Sequence, residues 1–412
     1  MNRLAFACLL AVSACLPVTG AVLESRYCGQ PPVIDGKLTE AAWQTAPKYS
    51  DFIVMQTSQA ARRRTELQIL HTDTAIVFGL TAYIPADLLP TPEEAGKDKV
   101  YSTDCVEIMV DPTGGSDSYF HFIVNSVNMR FQRSCEQGGY VGNSHWQADW
   151  QSAVHRDQDF WTAEIELPYQ SLELSGTGNP FWSFNAVRES YRLPEGHAEV
   201  SSLAAKGVTH TAESFRRLQA PGVDLSPYLW QVGLPNQRQA IVDGQLLVTL
   251  DSRVANLGPR DQDVKIEAVL TGANGFLVQA AVMTTAAAGA ENVIQFPSLQ
   301  VPNPGVFQGS ITVRDRAQNR ILSRKRFTSE LAFVPMSITL QDPHYRQAIF
   351  ATQKLENVRY QVAIHQDIDQ AGFRLRSGIR AGQGGQVLCQ QTVIPQQRQE
   401  FVFPASTVPE GR

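Results

Sequence analysis

The sequence predicts an all-β protein built from several β-sandwiches. Short apolar segments alternate with polar residues and end at turns such as Asp111-Pro112-Thr113-Gly114-Gly115. No helical pattern exceeds about two turns, and the clearest is a short piece at Thr39–Trp43 with Thr39 placed to cap it. Many short strands between turn residues are typical of sandwiches.

The length of 412 residues predicts several domains, at about 100–200 residues each. A proline-rich stretch at 219–237 is typical of a boundary. We expect a jelly-roll-like sandwich followed by two Ig-like sandwiches, the last truncated because the chain ends as a further strand approaches. The predicted units are a signal peptide at 1–21, the first sandwich at 22–233, and Ig-like sandwiches at 236–332 and 333–412.

The alternation of apolar and polar residues predicts where the strands lie and which side chains face the core. In Cys105–Val110, we predict that Val106, Ile108 and Val110 face the core, which puts Glu107 on the opposite face. The other predicted strands are Glu66–Leu70, Ala75–Leu80, Tyr119–Asn125, Phe160–Leu167, Trp182–Val187, Gln245–Leu250, Asp263–Leu270, Gly305–Arg314, Asn357–Ile364 and Gly372–Ile379.

Composition and charge exclude some partners. Apolar residues make up 43% and charged residues 18%, so the chain can build cores and is not a disordered tail. The formal net charge of −5 argues against nucleic acid, because phosphate binding needs a basic face.

The N-terminus indicates export to the periplasm or the extracellular space. Arg3 precedes a short apolar run that ends near Pro17, and no segment is long enough for a membrane helix. The alternative is an outer-surface lipoprotein, with Val12-Ser13-Ala14-Cys15 as a lipobox and a lipid anchor on Cys15. Export permits disulfides, and three pairings are open for Cys28, Cys105, Cys135 and Cys389.

The sequence carries no catalytic signature that we identify. It has no nucleophile elbow, phosphate loop or HExxH, and the carboxylate pairs Glu164/Glu166 and Asp104/Glu107 are of a kind common by chance. We expect no cofactor, with structural calcium in the loop Asp111–Asp117 as an alternative.

Residues 30 to about 218 resemble the carbohydrate-binding module family 9-like domain. The resemblance implies a jelly-roll-like sandwich with a sugar groove, of a kind often attached to secreted polysaccharide-degrading enzymes. It rests on six ordered segments: Val33–Trp43 (family "IDG…E..W"), Thr72–Phe78 ("DD..LY"), Asp104–Pro112 ("D.VEIF.DP"), Phe120–Asn125, Trp161–Pro168 ("GW..E..IP") and Phe184–Arg188 ("FN..R").

The alternation and the resemblance together suggest a sugar site. Glu107 shares a face with polar residues of the next strand, and a groove there would offer the fixed polar groups that sugar hydroxyls need. In sugar-binding members an aromatic residue stands six positions before this Glu, and a second, usually Trp, follows the "FN..R" segment; here the second Trp is missing. The predicted ligands are Tyr101, Glu107, His121, Asn125, Arg130, Arg188 and, as the nearest second aromatic, Tyr191.

Each candidate also has a structural alternative. Glu107 can be a solvated or salt-bridged strand residue, Tyr101 can pack on its own sheet, and Arg188 can tie the sandwich together through a carboxylate. Trp43, Trp161 and Trp182 are expected in the core.

Three functions follow from these expectations. The first is a non-catalytic module that binds a glycan or a glycan chain end and assists polysaccharide breakdown. The second is the N-terminal part of a glycoside hydrolase, acting on O-glycosyl bonds, whose catalytic domain lies beyond Arg412. The third is a structural or adhesive surface protein without sugar binding.

Overall fold

A computed structural model describes residues 22–95, 100–174, 181–190, 198–204, 208–242, 245–331, 336–343, 354–364, 374–381 and 385–408. Strands hold 55% of the residues and helices 9%, which confirms the all-β prediction. Within these ranges, no helix has the length and apolar character needed to cross a membrane. The signal peptide and Cys15 lie outside the described residues.

The first unit is a sandwich of two sheets. The first sheet has the order β1-β14-β12-β6-β7-β8-β9, extended by β13 beside β12 and by β3 beside β13. The second sheet has the order β10-β11-β5-β4-β2. Strands β1 to β14 are Leu23–Glu24, Arg26–Tyr27, Ile53–Val54, Thr65–His71, Ala75–Tyr83, Cys105–Asp111, Tyr119–Asn125, Arg130–Glu136, Val141–Asn143, Gln151–Arg156, Phe160–Pro168, Trp182–Ser190, Glu199–Ser202 and Arg216–Gln219.

The core between the two sheets follows the predicted alternation. Val106, Ile108 and Val110 of β6 enter it, together with Phe78 of β5 and Phe184 of β12, whose rings stack at 5.2 Å. Trp161 and Trp182 also lie in this core, as expected. Strand β8 was not predicted, because its sequence RFQRSCE shows no clear apolar alternation.

A buried ion pair links the two sheets. Asp104, directly before β6, accepts hydrogen bonds from Arg188 of β12 (Nη2–Oδ1, 3.0 Å) and from the indole nitrogen of Trp161 of β11 (2.7 Å). Arg188 is fully buried and also reaches the hydroxyl of Thr65 on β4 at 3.4 Å. Three of the segments that carry the family resemblance therefore meet at the Asp104 carboxylate.

A second buried carboxylate holds the N-terminal segment on the second sheet. Glu164 of β11 accepts hydrogen bonds from the backbone of Asp35 (3.0 Å) and Gly36 (2.8 Å) and from the indole of Trp43 (3.0 Å). Burial raises the pKa of Glu164 to about 7, although the three hydrogen-bond donors favour the ionised form and lower this pKa. Glu164 is thus a structural anchor.

Helices in the described ranges are short. They are α1 (Ala41–Thr45), α2 (Pro92–Ala95) and 3-10 turns at Ala86–Leu88, Val100–Ser102, Gln137–Gly139, Tyr169–Ser171, Ala212–Ser214, Ser226–Tyr228 and Ala405–Thr407. The prediction that Thr39 caps the first helix was wrong: Glu40 occupies the N-cap and its side chain makes no capping hydrogen bond.

The second unit is again a pair of sheets around its own core. One sheet has the order β15-β17-β16, with β20 and β21 also beside β17, and the other has the order β19-β18-β22-β23. Strands β15 to β23 are Trp230–Val232, Asn236–Val242, Gln245–Asn256, Gln262–Gly272, Leu277–Ala286, Glu291–Gln295, Leu299–Val301, Gly305–Asp315 and Ile321–Leu331.

The third unit has the sheets β24-β25-β28 and β26-β27. Its small core stacks Tyr360 on Phe401 at 5.6 Å. That this unit is truncated stays a prediction. Strands β24 to β28 are Met336–Asp342, Asn357–Ile364, Leu375–Arg380, Val387–Val393 and Arg398–Pro404.

The first two units meet within the proline-rich stretch. Tyr228 packs in the core of the first unit, whereas Trp230 packs in that of the second and its strand pairs with β17. Across the junction, Asp149 accepts hydrogen bonds from Arg324 (2.7 Å) and from Nε of Arg326 (2.8 Å).

The four described cysteines carry free thiols. Cys28, Cys105 and Cys135 are buried in three different apolar clusters, and Cys389 packs beside the core of the third unit. None of the three disulfide pairings left open by the sequence is therefore formed in this structure.

Replacing Arg188 with Met tests the ion pair between the sheets. We expect the free energy of unfolding of Arg188→Met to fall by about 3–5 kcal/mol, because a buried Asp104 charge loses its partner. The double variant Asp104→Asn/Arg188→Met should recover part of this loss. Arg26→Met, at an exposed position of β2, is the matched control. Urea unfolding measures these variants and the single variant Asp104→Asn; a double variant as unstable as the sum of its two single changes would contradict the pairing.

Candidate functional site

The predicted site lies on the face of the first sheet that points away from the sandwich core, here called the site face. Glu107 of β6 and His121 of β7 both project to it, and Nε2 of His121 lies 2.6 Å from a Glu107 oxygen. Both side chains are 2% exposed. The sequence predicted Glu107 in an open groove; the structure corrects this, because His121 and His210 close off the carboxylate from solvent.

A hydrogen-bond relay fixes the state of His121. Nε of Arg133 on β8 donates to Nδ1 of His121 at 3.1 Å. Since an arginine nitrogen only donates, Nδ1 is the acceptor and Nε2 carries the proton that is given to Glu107. Burial would raise the pKa of Glu107, but the hydrogen bond from His121 opposes this, and the pKa is lowered from its usual value. Glu107 is therefore ionised.

His210 is brought over Glu107 by a buried amide. Asn185 of β12 donates to the carbonyl of Thr209 (2.9 Å) and accepts from the backbone of Ala204 (3.0 Å), so it holds both ends of this loop. Nε2 of His210 then lies 3.7 Å from Glu107. Burial, together with the charge of Arg133, lowers the pKa of His210 to about 4 despite the charge of Glu107, so the imidazole is neutral at pH 7.

A hairpin packs against the same histidine. Gly139, at the tip between β8 and β9, has φ +109°, and a Cβ there would lie 2.4 Å from the carbonyl oxygen of His210. Only glycine permits this approach. The next residue, Tyr140, is 90% exposed, so a flat ring stands in solvent beside the His210 segment.

Glu189 completes the polar array. It belongs to β12, opposite Cys105 in the register, and its carboxylate lies within 4.8 Å of ligand atoms of Cys105 and Glu107. Burial, and then the neighbouring negative charge of Glu107, raise the pKa of Glu189 to about 8. At neutral pH a protonated Glu189 thus stands beside an ionised Glu107.

Tyr101 lies at one margin of the site face. Its 3-10 turn is held there by Val100, which packs on Cys105 and Ile123, and Ile123 is the register partner of Glu107. The Tyr101 side chain is 39% exposed. The role of Tyr101 as a sugar ligand stays a prediction.

Three other candidates offer no free side chain on the site face. Asn125 is buried and shapes a turn, accepting from the backbone of Met129 (2.8 Å). Arg130 projects towards the core side, where it stacks 4.0 Å over Trp150 and donates to the Trp150 carbonyl (2.7 Å). Arg188 adopts the alternative proposed for it and binds a carboxylate inside the sandwich. Tyr191 lies outside the described residues.

The cluster of Glu107, His121 and His210 has metal-ligand residue types, with donor atoms within 4.8 Å of one another. The relay argues against this use. A metal on Nε2 of His121 would require a proton on Nδ1, which faces the Arg133 donor. Structural calcium at Asp111–Asp117 stays a prediction; both oxygens of Asp111 accept backbone N–H groups, from Thr113 and Ser116 at 2.8 Å each.

Four residues of the site face were not predicted from the sequence: Arg133, Glu189, His210 and Tyr140. Glu189 could have been found, since it continues the outward alternation of Asn185 and Val187 on β12. The position of His210 depends on a loop anchored by Asn185, for which the sequence offers no local signal.

The comparisons with known proteins concern mainly this first unit. Residues 34–188 match the family described as "Carbohydrate family 9 binding domain-like". No curated protein matches the chain.

Solved structures resemble parts of the chain at low identity. A family 9 carbohydrate-binding module from Caldicellulosiruptor kristjanssonii in complex with cellotriose is 14% identical over 50% of this chain and 95% of its own, with a TM-score of 0.37. A family 9 module from the same organism in complex with glucose is 15% identical over 50% of this chain and 97% of its own, with a TM-score of 0.38. A β-glucuronidase from Bacteroides uniformis is 8% identical over 65% of this chain and 27% of its own, with a TM-score of 0.21.

The residues that carry the family pattern also hold the first unit together at Asp104 and Glu164. Residues 34–188 of this chain are thus a carbohydrate family 9 binding domain-like domain.

Proposed function

We propose that the first unit binds carbohydrate on its site face without catalysing a reaction. The family match of residues 34–188 supports binding of this class. The observation that carries the location is the placement of the Tyr101 turn and the Glu107–His121–His210 array on one face of one sheet.

The exposed groups of this face suit a sugar ring. The aromatic ring of Tyr101 offers a flat apolar surface for the C–H face of a sugar. A neutral His210 has one donor and one acceptor nitrogen. Such a mixture of one ring and a few fixed polar groups is what saccharide sites require.

Glu107 acts in this proposal as a positioning residue. Its oxygens lie under the imidazoles, so it does not contact the sugar directly. Glu107 accepts a hydrogen bond from His121 and lies beside His210, so it fixes the orientation of the imidazoles.

We further propose that the chain is exported and assists polysaccharide breakdown as an accessory module. The charged residue and apolar run at the N-terminus support export. The mass of the mature chain tests it: the expected start is residue 22, the lipoprotein alternative gives a lipidated Cys15, and an uncleaved chain would contradict both.

A structural or adhesive role is the second candidate. The closure of Glu107 favours it, because the most strongly charged group of the site face is withdrawn from solvent. The ion pairs of Asp149 with the second unit also suit a stiff spacer. Absence of binding to every sugar tested would select this role.

Removing the exposed groups of the site face tests sugar binding. Cellotriose and glucose, present in the complexes of the Caldicellulosiruptor modules, are the probes. We expect Tyr101→Ala to weaken binding roughly three- to tenfold through loss of ring contact. His210→Ala should weaken it to a similar extent through loss of hydrogen bonds. Isothermal titration calorimetry on the full chain measures both.

The matched control is Tyr27→Ala, an exposed tyrosine on the second sheet, which should leave the affinity unchanged. Full affinity in both site variants would show that the sugar does not bind at the site face.

The pH dependence of stability tests whether Glu189 is protonated in the folded site face. Its pKa is raised in the folded state to about 8 from 4.5, so folding binds a proton and stability from this group falls as pH rises from about 4.5 to 8. Glu189→Gln mimics the protonated form and removes this penalty. Its melting temperature should match the wild type at pH 4.5 and exceed it increasingly towards pH 8.5; a difference independent of pH would refute the assignment.

A further inference from the structure

The outer face of the second sheet, on the opposite side of the sandwich, is only half covered. Leu70 and Val77 lie beneath the N-terminal segment, packed with Trp43. Gly79 of β5 lets the Trp43 ring lie flat on the sheet, because a Cβ there would come within 2.9 Å of the indole. Beyond Trp43 the segment leaves the sheet uncovered, and a cleft of about 320 Å³ opens.

The floor of this cleft is built from three neighbouring strands. Gln68 of β4, Thr81 of β5 and Thr162 of β11 project from it. The anchoring of the N-terminal segment by Glu164 fixes one wall, since Gly36 is bound to Glu164 and also accepts a hydrogen bond from Thr162. The volume lies at the lower end of ligand pockets, roughly 300–1,000 Å³, and suits one small ring.

One end of the cleft is aromatic. The rings of Tyr83 and Phe160 are half-buried, with centroids 6.1 Å apart and planes inclined at 55°. Arg64 lies 4.9 Å over the Tyr83 ring and helps to fix it. A pre-positioned aromatic corner of this kind provides an apolar surface for a ligand ring.

Several polar groups of the cleft are not hydrogen-bonded to other described residues. The hydroxyls of Thr81 and Tyr83 and the ring of His155 make no hydrogen bond with any residue in the described ranges. By contrast, the side-chain amide nitrogen of Gln68 already donates to the carbonyls of Trp43 and Ala46. The free groups are donors and acceptors of the kind that pair with hydroxyls.

The charges of the cleft balance. Lys37 and Lys48 line it together with Glu66 and Asp157, and Lys48 is already paired with Glu66 at 3.0 Å. An ionic ligand gains little from such a set, whereas a neutral ligand rich in hydroxyls loses nothing.

We propose that this cleft is a second carbohydrate site, which takes a single neutral sugar ring. It lies on a different sheet from the site face and does not depend on it. The ring of the sugar would rest on Phe160, with hydroxyls bound by Thr81, Tyr83 and His155.

The test uses the full chain with glucose, galactose and N-acetylglucosamine as probes, titrated by calorimetry. The variant Tyr101→Ala/His210→Ala, which disables the site face, should still bind at least one of the three. Adding Phe160→Ala and Thr81→Val to it should weaken that remaining binding about tenfold or more. Glu166→Gln, on the same outer face but outside the cleft, is the matched control and should change nothing.

Thermal unfolding of each variant confirms that it folds. The proposal is overturned if the site-face variant binds none of the three sugars, or if the two cleft substitutions leave the remaining binding unchanged. Glucuronate binding in preference to the neutral sugars would also overturn it. If the site-face variant binds as well as the wild type while the cleft substitutions remove all binding, the sugar binds in the cleft, and the proposal of a sugar site on the site face is wrong.

Discussion

The buried carboxylate of Asp104 is the interaction on which the arrangement of the first unit depends. It accepts from Arg188 on one sheet and from Trp161 on the other, and it stands directly before the strand that carries Glu107. An unpaired charge at this depth is strongly destabilising, so the two sheets can pack only where both donors reach it. This constraint fixes where β6 begins, and with it the Tyr101 turn and the direction of Glu107.

The polar residues of the site face are fixed in turn by one another. Arg133, His121 and Glu107 form a directed chain of hydrogen bonds, and Asn185 places His210 above it. The result is a preorganised surface in which the ionised carboxylate lies beneath and neutral groups are presented outside. Preorganisation of this kind reduces the ordering cost that a flexible polar surface would incur on binding a sugar.

The sequence predicted the strands and faces well where apolar alternation was strong. The strand containing Val106 and Ile108 is correct in both position and orientation, because one buried face allows only one register. The same reasoning applied to β12, where Phe184 and Ala186 point inward, would have placed Arg188 in the interior. The family pattern rather than the alternation suggested it as a ligand.

The remaining features depend on contacts that alternation does not encode. The closure of Glu107 requires His210, which reaches it through the Asn185 anchor, and the approach of the hairpin requires Gly139. The cleft on the second sheet exists because the N-terminal segment stops short of Tyr83 and Phe160, a consequence of where Glu164 holds it. Such distances between remote segments emerge only in three dimensions.

A crystal structure of the full chain with cellotriose tests the central claim most directly. The account predicts sugar density on the site face, with one ring against Tyr101 and a hydroxyl within hydrogen-bond distance of His210. A fully occupied sugar elsewhere on the first unit, with the site face bare, would contradict it.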